Sequence, residues 1–264
     1  MSTNLISNMV RLNLAYSNIH MGNLVLVNRK YPINKQEALT IYNLESVSPE
    51  HTNILLEKTA AVMLRKLIQA CGVETEIVPV SGFRPLSEQI AIFNDSMNEN
   101  GEEFTSKYVA LPNHSEHQTG LAIDVAKNEP DIDFICPSFP NEGICQEFRE
   151  KAAQYGFIER YPKGKEAITG ISHEPWHFRY VGNPHSQIIS DNNFTLEEYV
   201  EYLKQFPYEG MHLQVINHRR RAEIFYVNAK KRTTSVYLPE NLSYSVSGNN
   251  IDGFIVTVWR QCND

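Results

Sequence analysis

Two short segments combine imidazole and carboxylate side chains at spacings that suit metal chemistry. Residues 113–124 include His117 and Asp124, and residues 172–177 hold a glutamate together with His177. A catalytic zinc ion commonly takes three protein ligands, mixing His with Asp or Glu, and keeps a fourth position open for water. Two histidines and one aspartate would satisfy that count, so the segments indicate a zinc-dependent hydrolase.

Asp124 lies in an otherwise apolar segment, residues 121–126, which we predict to be a strand. A carboxylate pointing inward from such a strand costs free energy unless a metal ion or another cation pairs with it. Gly120 permits a tight turn between His117 and this strand, so ligands seven residues apart can face one point. A single histidine of this kind more often lies on the surface beside an unrelated carboxylate, but the combination favours a metal site.

Two other hydrolytic mechanisms can be compared with the sequence. One class of serine peptidases needs Ser-x-x-Lys, yet no serine here is followed by lysine three residues later, and Gly-x-Ser-x-Gly is missing too. Residues 173–177 satisfy His-Glu-x-x-His, the helical zinc signature of many metalloproteases. Pro175 lies inside the turn that this motif requires, and strand-like aromatic residues follow. We therefore predict a strand here, in which His173 is at most an outer or substrate-side group.

Three groups of residues carry a resemblance to a known family. The groups are Ser81-Gly82-Phe83-Arg84 with Gln89 five residues on, Ser115-x-His117 followed by Gly120 and Asp124, and Glu174-Pro175-Trp176-His177. They resemble the zinc D,D-peptidases of the VanX, VanY and VanXY type, within a broader group that includes lysostaphin-like peptidases and hedgehog domains. The similarity covers residues 20–187, and the second and third groups are highly specific at this spacing.

The resemblance implies one zinc ion per chain, bound by His117, Asp124 and His177, with Glu174 as the catalytic base. It also implies that Arg84 stabilises the oxyanion near the scissile carbonyl. General chemistry agrees, because zinc lowers the pKa of bound water to about 7 and a positioned carboxylate then makes that water an effective nucleophile. The alternative for Arg84 is a structural ion pair.

Two further positions match residues that help hold the substrate in that family. Ser115 and Gln89 offer hydroxyl and amide donors, which suit the terminal carboxylate of a peptide. Local hydrogen bonds within a turn and a helix explain both residues nearly as well. Trp176 is expected to be a wall or core aromatic.

By this resemblance, the chain is expected to remove the C-terminal D-alanine from D-Ala-D-Ala, from muramyl-pentapeptide precursors of peptidoglycan, or from both. In this family the activity destroys the target of vancomycin-type antibiotics. Two alternatives stay open at this point. One is an L,D-carboxypeptidase or wall-lytic endopeptidase with the same metal, and the other is a zinc-containing binding module that does not hydrolyse.

The composition bears on location and partners. Polar residues interrupt residues 1–15, which argues against a secretory signal, and no apolar segment reaches the roughly twenty residues of a membrane span. We therefore predict a cytoplasmic protein, which favours the VanXY type over the membrane-bound VanY type. A net charge of -7 argues against nucleic-acid binding. Four cysteines without a CxxC pair predict free thiols, although the pairing of Cys136 with Cys145 stays open.

A mixed α+β domain must position the candidate ligands, and we place it at residues 1–190. Its predicted sheet is small, mixed or antiparallel, flanked by helices, and carries the zinc site. The predicted strands are 24–27, 77–80, 122–125 and 176–181, and the predicted helices run from Pro49 to Gly72, over 86–97 and over 147–155.

Residues 191–264 are predicted to form a small appendix. Thr195 with Glu198 three residues later is a capping box that starts a helix ending near Pro207. Beyond it, short β-rich segments separated by turn residues predict a small antiparallel sheet, with strands at 213–216, 223–227, 235–238 and 254–259.

Overall fold

The computed structural model describes residues 8–33, 43–72, 75–217 and 220–261. The chain divides into two compact units. We call Leu26–Tyr199 the catalytic unit, and the described parts of Met1–Val25 and Val200–Asp264 the β unit. In chain order the elements are β1 (Met9–Ala15), β2 (Leu44–Ser46), β3 (Leu55–Glu57), α1 (Lys58–Cys71), β4 (Ile77–Ser81), α2 (Leu86–Tyr108), β5 (Ala122–Lys127), α3 (Gly143–Ala152), β6 (Phe157–Tyr161), α4 (Glu166–Thr169), β7 (Glu174–Tyr180), α5 (His185–Asp191), α6 (Leu196–Leu203), β8 (Leu213–Asn217), β9 (Arg220–Asn228), β10 (Thr233–Pro239), β11 (Ser243–Gly248) and β12 (Gly253–Gln261).

The catalytic unit is built on a four-stranded sheet in the order β4-β5-β7-β6, with every pair antiparallel. One face of the sheet packs on a core in which Phe148 and Phe178 lie edge to face, 5.0 Å apart between ring centroids. α1 contributes Leu64 and Leu67 to the same core, and both are fully buried. The predicted α+β class, with a small antiparallel sheet flanked by helices, is confirmed.

The start of α1 differs from the prediction. The sequence favoured a helix from Pro49, but residues 55–57 form β3, which pairs with β2, and the helix begins at Lys58. The carboxylate of Glu57 accepts hydrogen bonds from the backbone N–H groups of Thr59 (2.8 Å) and Ala60 (3.1 Å). A glutamate therefore caps this helix and takes the role that the sequence pattern assigned to Ser48.

Three other element predictions need correction. Residues 24–27 are buried but form no strand. α2 continues to Tyr108 across a kink at Gly101, whose φ of 79° only glycine adopts readily. The helix predicted over 147–155 begins at Gly143 and ends in a 3-10 turn at 153–155. The strand β6 has no counterpart among the predicted elements, and it completes the sheet beside β7.

The β unit contains a four-stranded antiparallel sheet in the order β11-β12-β9-β8 and the antiparallel pair β1-β10. Its core includes Leu14, Phe225, Val236 and Phe254, so the predicted antiparallel tail is confirmed. The predicted division at residue 190 placed residues 9–15 outside the tail, whereas the pairing of β1 with β10 joins these residues to it. The capping box of α6 is present, with Thr195 and Glu198 exchanging hydrogen bonds of 2.7 and 3.1 Å.

Two compositional predictions can be compared with the described residues. Within them, no helix combines the length and the apolar character that a membrane crossing needs. Cys71, Cys136 and Cys145 are free thiols, so Cys136 and Cys145 do not pair. Cys262 lies outside the described residues.

Candidate active site

Neighbouring strands of the catalytic sheet place three polar side chains in one row. Ser81 on β4 lies opposite Asp124 on β5, and Asp124 lies opposite His177 on β7. Directly opposed residues of antiparallel strands point to the same face of a sheet. A register shift between Pro79 and Ser81 sets the first pairing. Residues that are far apart in sequence are therefore brought together by strand pairing alone.

His117 reaches this row from a 3-10 turn, Glu116–Thr119, that precedes β5. Gly120 ends the turn in the left-handed region with a φ of 70°, as the sequence predicted. The Nδ1–H of His117 donates to the backbone carbonyl of Gly82 at 2.7 Å, which leaves Nε2 facing Asp124 Oδ2 at 3.1 Å. The ring is thus fixed with one nitrogen toward the backbone and the other toward the carboxylate.

The donor atoms of His117, Asp124 and His177 lie within 4.8 Å of one another, and all three side chains are buried. Nδ1 of His177 is 2.8 Å from Asp124 Oδ1, and the two imidazole rings stand edge to face at 4.9 Å between centroids. Two imidazole nitrogens and a carboxylate oxygen form a donor set that zinc accepts. Buried groups of this kind at this spacing fit a bound cation, which the carboxylate would attract in an environment without water.

Ionisation in this cluster follows from burial and from the neighbouring charges. Burial lowers the pKa of His117 to about 4, with Arg84 acting in the same direction and Asp124 opposing. Burial also disfavours protonation of His177, but Asp124 outweighs it and raises the pKa of that imidazole to about 9. In the metal-free protein a proton is therefore held between His177 and Asp124, and a metal ion must displace it.

Each residue of the segment Ser81-Gly82-Phe83-Arg84 makes a specific contact beside the candidate metal ligands or with β3. Ser81 Oγ accepts from Arg84 Nε at 2.7 Å, and the Gly82 carbonyl holds His117. The Phe83 N–H bonds to the Leu55 carbonyl at 2.6 Å. A side chain at Gly82 would collide with that same carbonyl, so only glycine permits this close approach of β3.

Glu174 enters the site through an irregularity in the sheet. Between Glu159 and Tyr161 the pairing of β6 with β7 shifts register, so that Tyr161 pairs with Glu174. Such a bulge re-aims side chains, and it explains how residues three apart on one strand, Glu174 and His177, approach to 3.9 Å. Burial raises the pKa of Glu174 to about 8, with His177 lowering it and Asp124 raising it. The result is a buried carboxyl poised for proton transfer near neutral pH.

Arg84 and Ser115 are both buried and line the pocket that contains the three candidate metal ligands. The Arg84 guanidinium donates to Asp124 Oδ2 at 2.7 Å, so the predicted cation lies directly beside the cluster. Gln89 lies elsewhere: its amide donates to the carbonyl of Ala110, and Ala110 rather than Gln89 lines the pocket. The structure thus brings Arg84 and Ser115 together with the candidate metal ligands, and Gln89 supports the wall of the pocket.

His173 does not join the cluster. Residues 174–180 form β7, so the segment that matches His-Glu-x-x-His is a strand, as predicted. His173 Nε2 lies 3.2 Å from Glu159 Oε1, with 35% of the side chain exposed. Among the described residues, the group that could hold a metal contains His177 but not His173.

The sequence prediction missed two residues that lie at the site, Tyr161 and Glu116. The ring of Tyr161 lies 4.9 Å from that of His177 and lines the pocket. Glu116 is completely buried between Arg160 and Arg179, and although burial raises its pKa, these two cations hold the pKa well below its usual range. The sequence feature that could have identified Glu116 is the pair of arginines, Arg160 and Arg179, in the strands β6 and β7, because buried charges require partners of opposite charge.

Comparison with known proteins agrees with this geometry. The family model for VanY, D-alanyl-D-alanine carboxypeptidase, matches residues 53–183. The bifunctional D-Ala-D-Ala dipeptidase and D-Ala-D-Ala carboxypeptidase VanXYC of Enterococcus gallinarum is 45% identical over 186 residues, which are 70% of this chain and 97% of that protein. A D-alanyl-D-alanine carboxypeptidase of Enterococcus faecium is 36% identical over 251 residues, covering 91% of this chain and 76% of that one.

Solved structures give the same result. The vancomycin resistance D,D-dipeptidase VanXYg, in complex with a D-Ala-D-Ala phosphinate analog, is 50% identical with a TM-score of 0.93, covering 96% of this chain and 100% of that one. The LD-carboxypeptidase LdcB is 35% identical with a TM-score of 0.55, covering 67% and 84%. With its buried His, Asp and Glu side chains in the matched region, this chain belongs to the VanY family of D-alanyl-D-alanine carboxypeptidases.

Proposed function

We propose that this protein is a zinc-dependent peptidase that hydrolyses D-Ala-D-Ala and removes the C-terminal D-alanine from muramyl-pentapeptide precursors. The observation that carries the proposal is the buried cluster of His117, Asp124 and His177, with a separate buried carboxylate, Glu174, 3.9 Å from His177. The similarity to VanXYC and VanXYg over nearly the full length of those proteins supports both activities.

The chemistry divides among the residues of the pocket. Zinc, held by His117, Asp124 and His177, would supply Lewis-acid activation of water and of the scissile carbonyl. Glu174 takes the proton from the attacking water and can return it to the departing amine of D-alanine. Arg84 presents a fixed guanidinium to the negative charge that develops on the carbonyl oxygen. The Ser115 hydroxyl is available to the terminal carboxylate of the substrate.

A change of Arg84 to lysine should lower kcat/KM on the order of a hundredfold, as loss of an oxyanion donor does. The guanidinium bonds Ser81 and Asp124 at the same time, and an ammonium group cannot reproduce that planar fork. Steady-state kinetics with zinc analysis would measure the effect. Arg65→Lys is a matched control, because Arg65 also has two partners, Ser46 and Glu45, but does not line the pocket. Unchanged turnover in Arg84→Lys would remove Arg84 from the proposed role.

A different substrate bond is the main alternative. L,D-carboxypeptidases such as LdcB share the fold, but the TM-score of 0.55 is well below the value of 0.93 for VanXYg. Purified protein supplied with zinc should release D-alanine from D-Ala-D-Ala and from a pentapeptide ending in D-Ala-D-Ala. A tetrapeptide with an L,D bond is the comparison substrate. Cleavage of the tetrapeptide alone would replace the proposed activity with the alternative. A cytoplasmic location stays a prediction, which cell fractionation would check.

A further inference from the structure

A buried network of charges lies directly behind one of the candidate zinc ligands. Glu116 Oε1 is 2.8 Å from Arg160 Nε and 2.7 Å from an Arg179 nitrogen, and all three side chains are fully buried. Arg160 continues to Glu197 through two hydrogen bonds of 2.9 and 2.7 Å. At the other end of the network, the side-chain amide of Asn28 donates a hydrogen bond to Glu197 at 3.1 Å. Two carboxylates and two guanidinium groups thus balance each other inside the catalytic unit.

Stability alone explains this network poorly. Removing charges from water is costly, and replacing buried ion pairs with apolar residues of similar volume is often neutral or stabilising. Arg160 and Arg179 lie on β6 and β7, and the residue directly opposite Arg179, Ile158 on β6, is apolar and buried. This part of the sheet therefore accommodates a buried apolar side chain, so a role in the adjacent site is a better reason for the charges.

The free oxygen of Glu116 points to that role. Glu116 Oε2 lies 3.7 Å from Nε2 of His177, which is longer than a hydrogen bond, and among the residues that the structure describes neither atom has a hydrogen-bond partner. The other ring nitrogen of His177, Nδ1, faces Asp124 Oδ1 at 2.8 Å. Nδ1 is therefore on the metal side of the ring, and Nε2 is on the side of Glu116.

We propose that Glu116 is a positioning residue for the metal centre, which keeps the proton of His177 on Nε2 and leaves Nδ1 free as the ligand atom. Arg160 and Arg179 keep Glu116 in place as a carboxylate. His117 has the mirror-image arrangement, since its Nδ1–H is held by the Gly82 carbonyl and its Nε2 is on the side of Asp124. A histidine that binds a metal through one nitrogen usually donates the other N–H to such an acceptor, which fixes the ring and its tautomer. The inference rests on the proposed zinc site.

The test compares two glutamates that share one arginine, the buried Glu116 and the partly buried Glu197. Glu116→Gln removes the charge beside His177, and Glu197→Gln removes the charge at the other side of Arg160, where it does not contact His177. Zinc dissociation constants would be measured by competition with a chromophoric chelator, and the unfolding temperatures of both metal-free variants would be recorded. Glu116→Gln should raise the dissociation constant about 10- to 100-fold. Glu197→Gln should change it less than about threefold. Equal weakening in the two variants would overturn the proposal.

A measurement on the wild-type protein does not depend on whether Glu116→Gln folds. Nitrogen-15 NMR of the zinc-loaded chain should show the His177 proton on Nε2 and the His117 proton on Nδ1. A His177 proton on Nδ1 would overturn the proposal. These readings need no substrate, so a chain that binds zinc but releases no D-alanine would overturn the proposed function while the two measurements still decide the role of Glu116.

Discussion

Replacing Glu174 with glutamine should lower the rate of D-alanine release about a hundredfold to ten-thousandfold while zinc stays near one per chain. Glutamine has nearly the same shape as glutamate but cannot accept the proton of the attacking water. Because Glu174 lies outside the ligand cluster, its loss should separate rate from metal content. Steady-state kinetics and metal analysis on the same preparation would measure both quantities.

Glu159→Gln is the matched control for this experiment. Glu159 on the adjacent strand β6 is a partly buried glutamate that pairs with Arg149 and does not line the pocket. The Glu159→Gln variant should keep the rate within a few-fold. If Glu174→Gln also retains the rate within a few-fold, Glu174 is not the base.

The wild-type rate should rise with pH as Glu174 loses its proton. A bound cation shifts that ionisation below the pKa of about 8 of the metal-free site.

Replacing Asp124 with asparagine should remove most of the bound zinc, whereas replacing His173 with alanine should leave about one zinc per chain. Asp124 supplies one of only three candidate ligands among the described residues, and a neutral amide is a poor substitute for its carboxylate. His173 contacts Glu159 at the edge of the sheet. The helical His-Glu-x-x-His arrangement would require the opposite result, because it needs His173 and does not use Asp124.

Metal analysis after dialysis of the two variants gives the answer directly. Asp124 also pairs with Arg84, so its loss leaves a buried cation with one partner fewer, and the fold of Asp124→Asn should be checked by circular dichroism. Zinc retained in Asp124→Asn and lost from His173→Ala would overturn the site and the function proposed from it.

The sequence predicted the parts of the site whose information is local. The glycine turn after His117, the strand around Asp124 and the exclusion of a helix by Pro175 each follow from a few neighbouring residues. The bulge that brings Glu174 toward His177 could not be predicted in this way, because it depends on how β6 pairs with β7. The same holds for the pairing of β1 with β10, which joins residues more than two hundred positions apart.

The structure differs from the sequence prediction in two other places, the start of α1 and the role of Glu116. Ser48 and Pro49 have the pattern of a helix start, but Glu57 caps the helix and the residues before it pair as a strand. Glu116 lies beside a candidate ligand but has no local signal of its role, because its partners Arg160 and Arg179 come from strands much later in the chain. In each case a contact with another segment of the chain determines the structure and overrides or supplements the local sequence pattern.

The direct opposition of Asp124 and His177 makes the site dependent on the register of two strands. A slip of one residue between β5 and β7 would turn His177 to the opposite face and bring Trp176 or Phe178 into its place. Phe178 is fully buried in the aromatic core, and this apolar face penalises any slip. The hydrophobic side of β7 therefore fixes the strand register that the ligands on its other side require. Core substitutions that loosen this register would lower the activity although the substituted residues do not contact the site.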